Sequence, residues 1–313
     1  MTTSIVFGAA GFLGSHLSQE LMNRGHRVIG ADNFATSSNM NINILLENSS
    51  FEFVEACVYQ DQDWPIFSEI DYVFHLASPA SPPKYQSLGI ETLKANTIGT
   101  EKLIELSIKH SARFLFASTS EIYGDPSISP QSEEYWGNVN TVGPRSVYDE
   151  SKRLGETLVS LYNREFGLNG AIIRIFNTYG PGMDPNDGRV VSSFLRQGLE
   201  GKAFTVFGDG LQTRSFCFVD DLIQGILSMA ESDESGPVNL GNPSEINLLR
   251  LGEVVAEVLG IEPKFQFEEL PVDDPKQRRP DISKARLLLG WEPKVDLTEG
   301  VNRTAEWMRN LRN

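Results

Sequence analysis

The chain has 313 residues, 40% of them hydrophobic and 22% charged, with a formal net charge of -15. This suits a soluble globular enzyme with one large core or two smaller ones, and excludes a disordered or fibrous chain. The acidic balance argues against a nucleic-acid or anionic-membrane surface, which would need clustered Lys and Arg.

In chain order, Ser4 to Phe7 reads as a short apolar strand, and Gly8-Ala-Ala-Gly11-Phe-Leu-Gly14 follows at once. Leu13, Leu17 and Leu21 then repeat at helical spacing until Gly25. Within this strand, turn and helix, Gly8 allows the tight turn and Gly11 lets backbone approach a pyrophosphate. Gly14 lets helix pack close to strand, and the helix start at Phe12 and Leu13 faces the phosphates. Val28 to Ala31 forms a second strand ending in Asp32, which is placed to accept hydrogen bonds from an adenosine ribose and to repel a 2'-phosphate. NAD is therefore favoured over NADP. Asn33 beside that acid, and Leu76 and Ala77 at the end of a later strand, complete the expected cofactor contacts.

Further strands are expected at Phe51 to Val54, Tyr72 to Leu76, Arg113 to Ala117 and Ala171 to Phe176, with helices at about Ser87 to His110 and Val147 to Phe166. Alternating strands and helices predict an α/β fold, a doubly wound parallel sheet. Beyond Asn177 the chain becomes richer in proline and glycine, and its elements shorten up to Trp291 and a last amphipathic helix ending near Arg309. The expected division is an NAD-binding domain over 1–178, with 216–242 returning to it, and a smaller nucleotide-sugar-binding lobe over 179–215 and 243–313. No basic leader with a long apolar stretch is visible, nor any run of eighteen apolar residues, so a cytoplasmic protein is expected. Cys57 and Cys217 are too few for a disulfide framework and lack metal spacing, which predicts buried, reduced thiols. His16, His26, His75 and His110 are scattered, so no metal is expected, and His75 reads as a hydrogen-bonded structural residue.

The chemistry concentrates in two segments. Ala117-Ser-Thr-Ser-Glu-Ile-Tyr-Gly124 closes an apolar strand at the carboxyl edge of the sheet, where ligands bind in such folds. Tyr148 and Lys152 follow, four apart on one helical face, so that an ammonium can stabilise a phenolate beside the same ligand. Thr119 and Ser120 supply hydroxyls and Glu121 a carboxylate.

Together with these, the ordered set His75-Leu-Ala-Ser-Pro-Ala-Ser-Pro-Pro83, Tyr135-Trp-Gly-Asn-Val-Asn140, Gly143 to Arg153, Arg174-Ile-Phe-Asn-Thr-Tyr-Gly180, Asp187-Gly-Arg-Val-Val-Ser192, Gly208 to Phe216, Val238-Asn-Leu-Gly-Asn-Pro243 and Asp273-Asp-Pro275 through Gly290-Trp-Glu-Pro293 carries a resemblance from end to end. The chain resembles the extended short-chain dehydrogenase/reductases that act on nucleotide sugars and, within them, the UDP-glucuronate decarboxylases. The resemblance implies that Tyr148 takes the 4-hydroxyl proton while hydride passes to NAD, with Lys152 and Thr119 assisting. The 4-ketone then lies beta to the carboxylate, carbon dioxide leaves, Glu121 assists protonation of carbon 5, and re-reduction gives UDP-xylose. It implies that Ser78 and Tyr85 hold the glucuronate carboxylate, that Asn177, Arg189, Arg214 and Arg278 bind the sugar diphosphate, and that Val190 and Phe207 contact uracil or its ribose.

Alternatives remain. A nucleotide-sugar 4,6-dehydratase would carry Asp where Ser120 stands, and serine is a poor proton donor for that step. A UDP-glucuronate 4-epimerase shares the oxidation and reduction. A catalytically silent NAD-sensing regulator could use the same fold, but could discard Tyr148 and Lys152. The chain departs from the family pattern at Ser37 and Ser38, at Cys57 in place of an adenine-contacting Asp, and at Ser151 in place of Gly. The resemblance also implies a homodimer paired through the helices at Ser87 to His110 and Val147 to Phe166.

Overall fold

The computed structural model describes residues 1–60, 69–270 and 277–311; the family-like segment Asp273 to Pro275 lies outside these. Six strands, β1 (Thr3–Phe7), β2 (Arg27–Asp32), β3 (Phe51–Glu55), β4 (Tyr72–His75), β5 (Arg113–Thr119) and β6 (Asn169–Ile175), form one parallel sheet with a seventh, Val238–Leu240. The order β3-β2-β1-β4-β5-β6-Val238–Leu240 reverses direction between β1 and β4. That reversal opens a crevice at the carboxyl ends of the strands. All residues of β1 and β5 are buried, as helices on both faces of a parallel sheet require.

Helix α1 (Phe12–Asn23) leaves the first strand through the glycine turn. Gly8 has φ +88°, and a Cβ at Gly14 would lie 2.0 Å from the Gly8 carbonyl oxygen. The helix can therefore sit this close to β1 only with hydrogen at that position. The expected single helix from Ser87 to His110 is broken instead. Pro82–Ser87 ends at Leu88 (φ -117°, ψ 46°), Gly89–Lys94 resumes, a wide π turn spans Ala95–Gly99, and Thr100–His110 continues. Part of the reason for the turn's position is packing, since a Cβ at Gly99 would lie 2.8 Å from Val58.

After β6 the chain forms short pairings. Thr178–Tyr179 runs parallel to Cys217–Phe218, and Phe204–Phe207 parallel to Phe265–Glu268. Thr213–Ser215 lies between Glu245–Asn247 and Gln277–Arg278. Val238–Leu240 then returns to the main sheet beside β6, whereas Cys217–Phe218 does not join it. Cys57 and Cys217 are buried and free.

Gly14→Ala is expected to lower the unfolding free energy by about 1–3 kcal/mol, since neither strand nor helix can yield without repacking. Chemical denaturation of the variant checks this.

Candidate active site

A cavity of about 510 Å³ opens over the β1/β4 reversal. The glycine turn from Gly8 to Gly14, with Phe12 and Leu13, lines one end together with Leu76; Thr119, Ser120, Glu121, Tyr148 and Lys152 line the middle; Ser78, Asn177 and Arg189 complete it. The cofactor end fits a dinucleotide. Gly8 and Gly14 keep the turn free of side chains, Gly11 gives the helix no side-chain cap, and the first turn of α1 carries no acid to repel phosphate. Asp32 closes β2, and its carboxylate accepts from Ala10 N (3.0 Å), Phe34 N (2.9 Å) and Ser37 Oγ (2.9 Å). A carboxylate has about four acceptor positions, so room remains for a ribose hydroxyl. Asn33 uses its side-chain oxygen to cap Ala35 N at 3.1 Å. Ala77 packs beneath Gly8, where a Cβ would lie 2.9 Å from its backbone nitrogen.

Helix Ser146–Glu165 brings Tyr148 and Lys152 against β5. Lys152 is 2% exposed and donates to Ala117 O at 2.7 Å, with its ammonium 4.9 Å from the Phe116 ring centre and 5.9 Å from that of Tyr148. Burial brings its pKa down to about 7, partly opposed by Glu156. Burial also pushes the Tyr148 phenol up to about 12; its hydrogen bond with Thr119 acts the other way, and Glu121 adds to the rise. Beneath this pair lies a polar network: Glu156 accepts from Ser118 Oγ (2.5 Å) and from Arg174 Nε (3.0 Å) and Nη2 (2.8 Å). Arg174 also donates to Tyr123 OH, which donates to Asn239.

Glu121 behaves differently from a proton donor. It is bound by both Arg145 and Arg278. Burial raises its pKa, but the two guanidiniums outweigh that and hold it at about 2. At neutral pH it is a carboxylate suited to orienting cations or water. Arg278 is 4% exposed, engaged with Glu121 and Gly124 O, and lies apart from the cavity wall. Arg145 escaped sequence reasoning, although its place three residues before Tyr148 on one helical face was a usable signal.

Tyr85 lies beside the Tyr148 and Lys152 pair. It is 1% exposed and stacks on Tyr148 with ring centres 4.9 Å apart and planes 3° apart. Ser78 donates to Pro79 O, and Arg189 pairs with Asp187 at 3.3 Å. Val190 starts helix Val190–Leu199. Phe207, at the end of its strand, is 41% exposed, and Arg214 donates to Thr213 O; neither lines the cavity. Ser151 accepts from Asn96 and donates to Tyr148 O. Cys57 sits beside Tyr59. His75 is fully buried, with Nε2 bonded to Ala95 O and Thr100 Oγ1, and burial takes its pKa down to about 3.

The profile of the NAD dependent epimerase/dehydratase family matches residues 4–241. The chain belongs to this family. Within the family, the chain is 47% identical over 305 residues to UDP-glucuronic acid decarboxylase 1 of Xenopus tropicalis, covering 97% of this chain and 72% of that protein. It is 48% identical over 298 residues to UDP-glucuronic acid decarboxylase 6 of Arabidopsis thaliana, covering 95% and 86%. Among solved structures, UDP-glucose 4-epimerase of Thermotoga maritima with UDP-glucose superposes at TM-score 0.89 with 29% identity, both chains being covered in full. UDP-glucuronic acid 4-epimerase of Bacillus cereus in complex with UDP-glucuronic acid and NAD superposes at 0.87 with 31% identity, covering 99% of this chain and 100% of that one. The family's cofactor is the one the glycine turn and Asp32 indicate.

Two outcomes are expected. Tyr85→Phe should keep the stack and near-normal turnover, whereas Tyr85→Leu should lower kcat about tenfold by freeing the Tyr148 ring, as steady-state kinetics would show. The unfolded chain binds a proton at Glu121 near its ordinary value of 4.5 and the native chain only near 2. The group's contribution, of the order of 3 kcal/mol, is thus complete above pH 4.5 and lost as pH falls towards 2. Denaturation of wild type and Glu121→Gln across that range should show the difference between them shrinking with acid.

Proposed function

We propose that this family member is an NAD-dependent UDP-glucuronate decarboxylase that forms UDP-xylose. The observation that carries the reading is the Thr119, Glu121, Tyr148 and Lys152 cluster facing the cofactor end of one cavity, in a chain nearly half identical to curated decarboxylases of that name.

The Gly8 to Gly14 turn and Asp32 would hold NAD, which would supply a hydride acceptor for carbon 4 of the sugar and the donor for its later re-reduction. Tyr148 accepts the 4-hydroxyl proton in the first half and gives it back in the second. With the phenol at about 12, making its anion at pH 7 costs roughly 7 kcal/mol, which nearby positive charge has to offset. Lys152, with its ammonium 5.9 Å from the Tyr148 ring centre, suits that task, and Arg189 acts in the same direction. Thr119 orients the reacting oxygen. The resulting ketone lies beta to the sugar carboxylate, so the carbon–carbon bond breaks with its electrons held as an enolate, and carbon dioxide departs. Carbon 5 then takes a proton from water. Glu121, ionised between Arg145 and Arg278, positions that water and the guanidiniums. The Ser120 hydroxyl borders the same space.

Asn177 and Arg189 bind the diphosphate from the cavity wall, and Ser78 faces the glucuronate carboxylate. Val190 and Phe207 are assigned to the uridine, and Arg214 and Arg278 to the phosphates. The division into a cofactor domain and a substrate lobe follows this arrangement. Exposed Ile90, Leu93, Ile98 and Leu154 supply an apolar face on the two helical regions assigned to a homodimer. Among the described residues no helix is long and apolar enough to cross a membrane. A cytoplasmic location agrees with the two free thiols.

Proton NMR of the protein with UDP-glucuronate and NAD in deuterated water should show UDP-xylose with deuterium at carbon 5. UDP-galacturonate as the product would overturn the decarboxylase reading in favour of an epimerase. Tyr148→Phe should lower kcat by about 10²- to 10⁴-fold while leaving UDP binding intact.

A further inference from the structure

Two contacts outside the catalytic cluster join the cofactor end of the cavity to the loop that forms its far wall. Asn41 lies in the segment after β2, and its Nδ2 donates to Gly182 O at 3.0 Å and to Ala10 O at 3.5 Å. An amide nitrogen has two protons, so both bonds form together. Ala10 belongs to the glycine turn, and its own N–H donates to Asp32. A continuous line of hydrogen bonds thus runs from the ribose-binding acid through Ala10 and Asn41 to the loop at 180–189.

His16, one turn into α1, holds the same loop from the other side. Its Nε2 lies 2.8 Å from Pro181 O. A carbonyl only accepts, so Nε2 carries the proton. Burial lowers the ring's pKa, with Asp220 and Arg303 facing it as opposing charges, and the neutral ring already supplies the required donor at pH 7. Gly182 is caught between the two side chains. At φ +85° it is left-handed backbone, and an added Cβ would lie 3.3 Å from His16 Nε2 and 3.4 Å from Asn41 Oδ1. Beyond Gly182 the same loop contributes Met183 and Arg189 to the cavity.

We infer that Asn41 and His16 are positioning residues that couple cofactor binding to nucleotide-diphosphate binding. Holding Asp32 and the glycine turn around a dinucleotide fixes Ala10, and through Asn41 and His16 it fixes the loop that presents Arg189. Neither side chain takes part in hydride or proton transfer. This inference rests on the NAD and UDP-sugar reading above and adds a reciprocal coupling between the two sites.

The test is calorimetric titration of UDP into wild type with and without saturating NAD, and of NAD with and without UDP. UDP allows no turnover, so the readout is binding alone. Each ligand should tighten the other by at least about fivefold. Asn41→Ala should bring that factor close to one while changing each separate affinity much less. His16→Gln, which keeps a donor, should retain more of the factor than His16→Leu, and thermal melts report whether each variant is folded. A wild type without coupling overturns the inference, as does an Asn41→Ala variant with the full factor or equal coupling in the two His16 variants. Failure of UDP to bind wild type at all would overturn the substrate reading with it, whereas binding without coupling overturns this inference alone.

Discussion

Lys152 must keep its ammonium in a place that penalises charge. The side chain is almost wholly buried between helix Ser146–Glu165 and β5, where it donates a hydrogen bond to Ala117 O. Burial depresses this lysine to about 7, so the ammonium is costly to hold where it stands beside the phenol. Much of the surrounding architecture can be read as accommodating that one group. The helix approaches β5 closely because position 155 is glycine; a Cβ there would lie 2.3 Å from the Phe116 ring. Glu156, a turn further along, returns negative charge to the region and is itself held by Arg174 and Ser118.

Charges alternate outward from there. Arg174 closes the network under the sheet through Tyr123 and Asn239, while Arg145 and Arg278 close the one beside the cavity through Glu121. Each of these buried charges is met by an opposite partner or a carbonyl, which is the condition for keeping ionic groups inside a protein. Asp149 shows what happens where pairing is incomplete. Burial and Glu121 push its carboxyl up to about 7, next in sequence to Tyr148. The site is thus polar in composition but apolar in surroundings, and small displacements of its side chains carry a large electrostatic effect.

The elements around the sheet were legible because each has a local cause. Leu13, Leu17 and Leu21 set the first helix, and apolar runs between glycine turns set β1, β2 and β5. The active-site pair was legible from spacing, since residues four apart on a helix must share a face. What escaped depends on contacts between segments distant in sequence. No periodicity says that Glu121 meets Arg278, that Tyr85 lies flat on Tyr148, or that Asn41 reaches Gly182. The break at Leu88 and the π turn at Ala95–Gly99 were also hidden, because the apolar pattern continues through them while the backbone adjusts to Val58 and to the neighbouring helix. The return of Val238–Leu240 was visible as a short apolar run. Its partner, β6, was not.

That return has a consequence for how the chain reaches its native state. One edge strand of the main sheet comes in the chain only after everything between Ile175 and Val238, so β6 keeps an open edge until that distant strand pairs with it. The sheet and the elements inserted before its last strand are interleaved along the chain, and closing such a distant parallel pairing costs loop entropy before any contact repays it. Assembly is therefore expected to be slow and cooperative across both parts. During that interval an apolar strand edge bearing Ile173 and Ile175 is available to pair with another chain.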